Sequence, residues 1–290
     1  MTKALLQLHL AILLWGATGI LGKLIPLPYL LLVWYRLAIT LLSLGLFHYI
    51  SGNMSKLTMK QAMPLLGTGA LQCLHWICFF ASIQYANVSV ALICLSSVSL
   101  FTALLEPILT PKKIRIQSLI IGCLPILAIS LMYYSNAEYG QGIYYGIASA
   151  VILSVIPISN KQHLVHFNAH TISLYTVLGG TVISTILLLL VPFNTLTTLP
   201  NTQGWLLLLV LSWLCTILTW YLSLASLRKI SAFTQNVLLN LEPLYGIGLA
   251  VLFLQENKVY NLYFYIGIAI LIGTVILQST LEYNHARKIS

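Results

Sequence analysis

Residues 3–23 read KALLQLHLAILLWGATGILGK: nineteen uncharged residues held between two lysines. At a rise of 1.5 Å per residue, roughly 20 apolar residues make a helix that crosses the hydrocarbon layer of a bilayer. The same spacing recurs along the chain. Arg36 and Lys56 enclose nineteen uncharged residues, Arg115 to Glu138 and Glu138 to Lys161 enclose twenty-two each, and Lys258 to Glu282 encloses twenty-three. Two longer gaps, forty-five residues from Lys60 to Glu106 and sixty-six from Lys161 to Arg228, hold two spans each. One further stretch, Lys229 to Glu256, carries a single internal charge, Glu242. Five single gaps, two double gaps and that stretch predict ten transmembrane helices.

The spans are predicted at 4–25, 29–50, 62–84, 88–109, 117–134, 142–160, 170–193, 204–226, 231–254 and 260–280. Turn chemistry marks the breaks: Ile25-Pro26-Leu27-Pro28, Ser51-Gly52-Asn53, Ala86-Asn87, Asn136, and Pro192-Phe193-Asn194 through Pro200-Asn201. Segments of this length are helices, since barrel strands need only about 10 alternating residues. Of the 290 residues, 59% are hydrophobic and 7% charged, with a mean hydropathy of +0.94. A soluble domain carries about 25% charge, so most of this surface must face lipid. The stretch after Lys3 lacks a small-x-small cleavage site and runs straight into a second apolar segment, so it is read as a retained first helix.

Basic residues orient the chain. With the N-terminus inside, the inner side holds Lys3, Lys56, Lys60, Lys112, Lys113, Arg115, Lys161, Arg228, Lys229, Arg287 and Lys288, while the outer loops hold only Lys258. Both termini are therefore expected in the cytoplasm. The net charge of +9 is this inner-face bias rather than a nucleic-acid footprint, and no nucleic-acid partner is expected.

Several chemistries lack their residues. The chain has no Asp, which removes an aspartyl-phosphate mechanism and the Asp that holds magnesium in nucleotide-driven pumps. Gly16-Ala17-Thr18-Gly19-Ile20-Leu21-Gly22-Lys23 misses a phosphate-binding loop at Ala17 and Leu24. No G-x-S-x-G or H-E-x-x-H string occurs, and no catalytic constellation can be read. His163, His166 and His170 have a spacing that suits a metal on a helix, but sit at a short interfacial junction with Lys161 and Asn168. The five cysteines, Cys73, Cys78, Cys94, Cys123 and Cys215, all fall in apolar spans without a C-x-x-C pair. No enzyme activity, metal or cofactor is expected.

The polar residues inside spans are the informative ones, because an ionisable group in lipid costs roughly 2.5–3.5 kcal/mol by insertion scales. Glu242 lies mid-span before Pro243, on one helix face with Gln235 and Gly246 and flanked by Asn236 and Asn240. Four polar side chains over eight residues either glue helices together or line a solute path. Ser99, Thr102 and Glu106 fall at i, i+3 and i+7 in span four, where Glu106 also has Lys112, Lys113 and Arg115 within reach as partners. Arg36 lies about two turns below the outer surface, where it either snorkels or lines a cavity. Mid-span His75, with Gln72 and Trp76 beside it, fits packing and site alike. Gly16, Gly19 and Gly22 permit close helix contact, and Trp15 offers a stacking surface.

Ten spans divide as five plus five, expected at 1–138 and 139–290, and an odd number per half makes the repeat inverted. Lys23 and Lys161 close spans one and six, and Asn87-Val88-Ser89 and Lys229-Ile230-Ser231 open spans four and nine. Leu105-Glu106-Pro107 and Leu241-Glu242-Pro243 look alike, but their offset differs from the neighbouring echo by six residues, so they are not equivalent.

Leu14-Trp15-Gly16 through Lys23, Trp34-Tyr35-Arg36, Ala81 through Ser89, and Leu241-Glu242-Pro243 through Gln255-Glu256, in that order on ten spans, resemble the EamA-type transporters of the drug/metabolite transporter superfamily. Ser97-Val98-Ser99 and Lys112-Lys113 depart from the family pattern. The resemblance implies an all-α membrane protein of two inverted five-helix repeats. Its central cavity would be lined mainly by helices one, three, four, six, eight and nine. Members export amino acids and related metabolites, and some relatives carry sugar nucleotides or phosphorylated sugars. The expected function is a secondary transporter, an exporter of amino acids or similar small metabolites across a bacterial inner membrane, by alternating access. Trp15, Arg36, His75, Trp76, Ser99, Trp220, Gln235, Asn236, Asn240 and Glu242 are the candidate substrate-binding residues. Aromatic rings offer apolar and cation–π surface, the amides offer donors and acceptors, and Glu242 is where protons would couple. The alternatives are an uptake carrier or exchanger for an anionic metabolite, using Arg36 and Lys23, and a non-transporting structural or receptor-like membrane protein.

Overall fold

The structure is a computed structural model and describes residues 2–51, 57–111, 116–135, 137–192, 198–239, 241–255 and 261–289. These form ten helical spans: α1 (Thr2–Leu24), α2 (Tyr29–Ser51), α3 (Met59–Tyr85), α4 (Val88–Leu95 and Val98–Leu109), α5 (Ile116–Ser135), α6 (Gly140–His163), α7 (Ala169–Leu188), α8 (Thr202–Ser212, a π-helical turn Trp213–Leu218, and Thr219–Leu227), α9 (Ala232–Leu239 and Leu241–Leu254) and α10 (Leu262–Ile289). Seven spans are long and apolar enough to cross a bilayer, and Leu119–Leu131, Leu241–Leu254 and Leu262–Thr274 form shorter apolar cores in the remaining three. The chain is a multi-pass integral membrane protein, all-helical among the described residues.

The caps explain the boundaries. The side chains of Asn87, Asn168 and Asn201 accept hydrogen bonds from the amides of Val90, Thr171 and Gly204 at 2.8, 2.8 and 2.7 Å, opening α4, α7 and α8. Each such cap is worth about 1 kcal/mol. Thr58 and Gln61 form a capping box, which starts α3 three residues before the predicted 62 because it supplies the amides that a bare helix end leaves unpaired. Proline sits inside α3, α4, α5 and α6 without ending them (Pro64, Pro107, Pro125, Pro157), as membrane helices tolerate.

The helices pack as two five-helix halves whose contacts mirror each other. The contact of α3 with α6 returns as that of α8 with α1, α3 with α7 returns as α8 with α2, and α1 with α9 returns as α6 with α4. The pairs α2 with α7 and α5 with α10 map onto themselves. That is the pattern of two inverted repeats about a two-fold axis. Close approach depends on small residues. A Cβ on Gly69 of α3 would fall 2.0 Å from the Thr176 carbonyl oxygen of α7, and one on Gly16 of α1 would fall 3.0 Å from the Gly246 amide of α9. Gly16 thereby serves packing, with α1 resting on the turn of α9 that carries Glu242.

Candidate functional site

Arg36 has no exposed surface, which rules out snorkelling. Its Nε donates to Thr216 Oγ1 at 2.8 Å and its Nη2 to the Cys215 carbonyl at 3.1 Å. Its guanidinium carbon lies 3.7 Å from the centroid of the Trp76 ring. The π-helical turn of α8 makes this possible. Thr216 Oγ1 donates five residues back to the Leu211 carbonyl at 2.8 Å, and the widened turn leaves the Cys215 carbonyl accepting from both Thr219 Oγ1 and Arg36. Such bulges within α-helices recur at functional sites. Ser212 on α8 also donates to the Arg36 carbonyl at 3.2 Å, stapling α2 to α8.

Arg36 borders a cavity lined by α1, α2, α3, α4, α6, α8 and α9. The six helices expected from the family pattern all contribute, and α2 adds Arg36. The Trp76 and Trp220 rings stand 6.0 Å apart at 32° on one wall, with Trp15 also lining the space. His75 packs near Phe79 at 6.3 Å, and its Nδ1 lies 2.8 Å from Ser149 Oγ and 3.1 Å from the Ser149 carbonyl. A carbonyl only accepts, so the proton of a neutral His75 belongs on Nδ1 and Nε2 is left as an acceptor. Gln235 donates to Ser223 Oγ at 2.6 Å, while its own Oε1 and Asn160 Oδ1 have no hydrogen-bond partner. Glu242 is 8% exposed and faces the same space.

The structure thus brings together seven of the ten predicted residues: Trp15, Arg36, His75, Trp76, Trp220, Gln235 and Glu242. Ser99 is not among them. It is buried, its hydroxyl donating to the Ser96 carbonyl at 3.4 Å, just after the interruption of α4 at Ser96 and Ser97. The Asn236 side chain and Asn240 lie outside the described residues, as do Lys112, Lys113 and Arg115. Lys23 is exposed and does not line the cavity. Of the three junction histidines, His163 meets Thr68 Oγ1 at 2.8 Å and His170 meets the Tyr221 hydroxyl at 2.8 Å, so two of them face different helices. Sequence reading missed Thr18, Asn160, Thr216, Thr219 and Ser223, all of which line the cavity. Thr216, Thr219 and Ser223 fall at i, i+3 and i+7 on α8, the same spacing that singled out the stripe in span four.

Polar latches hold both ends of the helix bundle. At one end Gln84 Nε2 donates to the Leu27 carbonyl at 2.8 Å and the Tyr29 amide donates to Gln84 Oε1 at 3.2 Å, beside the stacked rings of Tyr85 and Tyr145 at 5.5 Å. At the other, Lys161 Nζ donates to the Leu227 carbonyl and, at 2.9 Å, to the Ile230 carbonyl, while Gln162 Nε2 donates to the Leu109 carbonyl at 3.2 Å.

Comparison with known proteins agrees with this architecture. The model of the EamA-like transporter family matches twice, over residues 2–134 and 140–280. A solved structure described only as "Crystal structure of protein" superposes with a TM-score of 0.70 at 16% identity, covering 97% of this chain and 98% of that chain. That likeness shows a shared fold. No curated protein matches significantly.

Proposed function

The chain belongs to the EamA-like transporter family, and from that premise we propose that it is a secondary transporter exporting amino acids or related small metabolites. The observation that supports this reading is the cavity, which among the described residues combines a cation, a carboxyl group, amides and tryptophans between two latched ends. Small-molecule sites are built this way, with apolar walls and a few placed polar groups. In this reading the halves, 1–138 and 139–290, rock against each other and open the latches in turn, with Glu242 carrying coupled protons. The excess of Lys and Arg on one side supports cytoplasmic termini, and the family resemblance supports a bacterial inner membrane. Membership of a transporter family speaks against the non-transporting alternative.

Arg36 in the cavity also favours a second reading, carriage of an anionic metabolite. Lys23, the other cation it would use, faces away. Full-length protein in proteoliposomes loaded with the proteinogenic amino acids, or with sugar phosphates and dicarboxylates, separates the two. Amino-acid efflux above that of empty liposomes is expected. Flux confined to the anions would replace the first reading with the second, and no flux of any solute would overturn both.

A further inference from the structure

An arginine and a glutamate line one cavity. Arg36 and Glu242 both border the cavity and interact electrostatically, yet the hydrogen bonds of Arg36 go to Thr216 and Cys215. A buried charge is costly unless it is paired and hydrogen-bonded, so an arginine and a carboxyl group in one cavity have a strong reason to come together. Arg36 is kept from doing so. Thr216 Oγ1 and the Cys215 carbonyl, both on the π-helical turn, hold two of its nitrogens, and the face of Trp76 holds its plane. The third nitrogen, Nη1, is buried and has no acceptor. Glu242 makes no hydrogen bond to another described residue.

The missing partners have a definite chemistry: an anionic oxygen for Arg36 Nη1 and a cationic N–H for Glu242. A simple anion would satisfy Arg36 and be repelled by Glu242. A simple amine would do the reverse, and an uncharged solute would leave both charges unpaired. Building on the transport reading above, we propose that the cavity is a zwitterion site. Arg36 takes the carboxylate and Glu242 the ammonium of an α-amino acid, with Trp76 and Trp220 as the wall beside its side chain. Because the π-helical turn fixes the arginine beforehand, binding does not have to order it, which favours the ligand that fits over one that needs rearrangement.

The test compares substrates on the wild-type protein, so it does not depend on a variant folding. Efflux from proteoliposomes is measured for the proteinogenic L-amino acids and for L-leucine's two truncated forms, isoamylamine without the carboxylate and 4-methylpentanoate without the amine. The matching pair is added for whichever amino acid moves fastest. The amino acid should be carried roughly 10- to 100-fold faster than either truncated form, the range expected for one lost hydrogen bond to a charged group. In Arg36→Gln the preference over the amine should vanish selectively, and in Glu242→Gln the preference over the acid. If either truncated form moves as fast as its parent amino acid, the zwitterion site is overturned while transport stands. If nothing moves, the transport reading fails and this inference fails with it.

Discussion

Arg36 is the largest of the fully buried side chains among the described residues, and it sits in a protein whose surroundings are lipid and packed hydrocarbon. A guanidinium survives there because three features share its charge: a hydroxyl, a main-chain carbonyl freed by a widened helical turn, and an indole face. A cation–π contact of this kind is worth up to about 2 kcal/mol when desolvated. Glu242 has no such support among the described residues, which makes it the group that can exchange its proton or its ligand. If protons couple through it, Glu242→Gln flattens the dependence of efflux on pH, because the amide cannot titrate. Efflux followed from acidic to mildly alkaline pH in wild type and variant checks this. A variant that keeps the wild-type profile removes Glu242 from coupling.

At the level of elements, the helices meet where side chains are absent. Without a hydrophobic force between helices in lipid, association rests on van der Waals contact and interhelical hydrogen bonds. Gly69 and Gly179 let α3 and α7 touch backbone to backbone, and a Cβ at Gly179 would fall 2.3 Å from the Leu66 carbonyl oxygen. Gly67, two residues before Gly69, has nothing within 4 Å of where a Cβ would stand. The two glycines of one helix should therefore respond oppositely to alanine. Gly69→Ala forces two backbones apart and should cost at least about 1–3 kcal/mol, the range for overpacking. Gly67→Ala should be neutral or stabilise by up to about 1 kcal/mol through helix propensity. Thermal unfolding of the purified variants reads both, and equal losses would refute the packing account. The prediction is sharp because Gly69 meets main chain, which cannot rotate out of the way.

Across the whole molecule, the two latches occupy equivalent places. Gln84 at the end of α3 ties to Leu27 beyond the end of α1, and Lys161 at the end of α6 ties to Leu227 at the end of α8. Exchanging the halves converts one pair into the other, since α1 corresponds to α6 and α3 to α8. Under the transport reading proposed above, alternating access would release one latch at a time. Lys161→Met removes the donor and should favour opening at that end. Cys215 lines the cavity and is 2% exposed, so it reports entry. In a background where the exposed Cys123 is replaced by serine, alkylation of Cys215 by N-ethylmaleimide should be several-fold faster in Lys161→Met than with Lys161 intact. An unchanged rate would mean that Lys161 holds the helix ends without gating the cavity.

The charge spacing by itself determined the ten spans, and the odd number per half determined that the repeat is inverted. Both follow from the fixed thickness of the bilayer and the rise of a helix, which act on any apolar run whatever its neighbours. The same reasoning picked out Arg36, His75, Gln235 and Glu242, since an ionisable or amide group inside lipid must have a use. Only the tertiary structure decided which of those groups share a cavity. Span four and span eight carry polar stripes of the same spacing, yet Ser99 bonds back to the Ser96 carbonyl of its own span while Thr216 and Thr219 line the cavity. A stripe of hydroxyls has the same periodicity in either setting. Which way it faces depends on the helix that packs behind it, and that partner is distant in sequence.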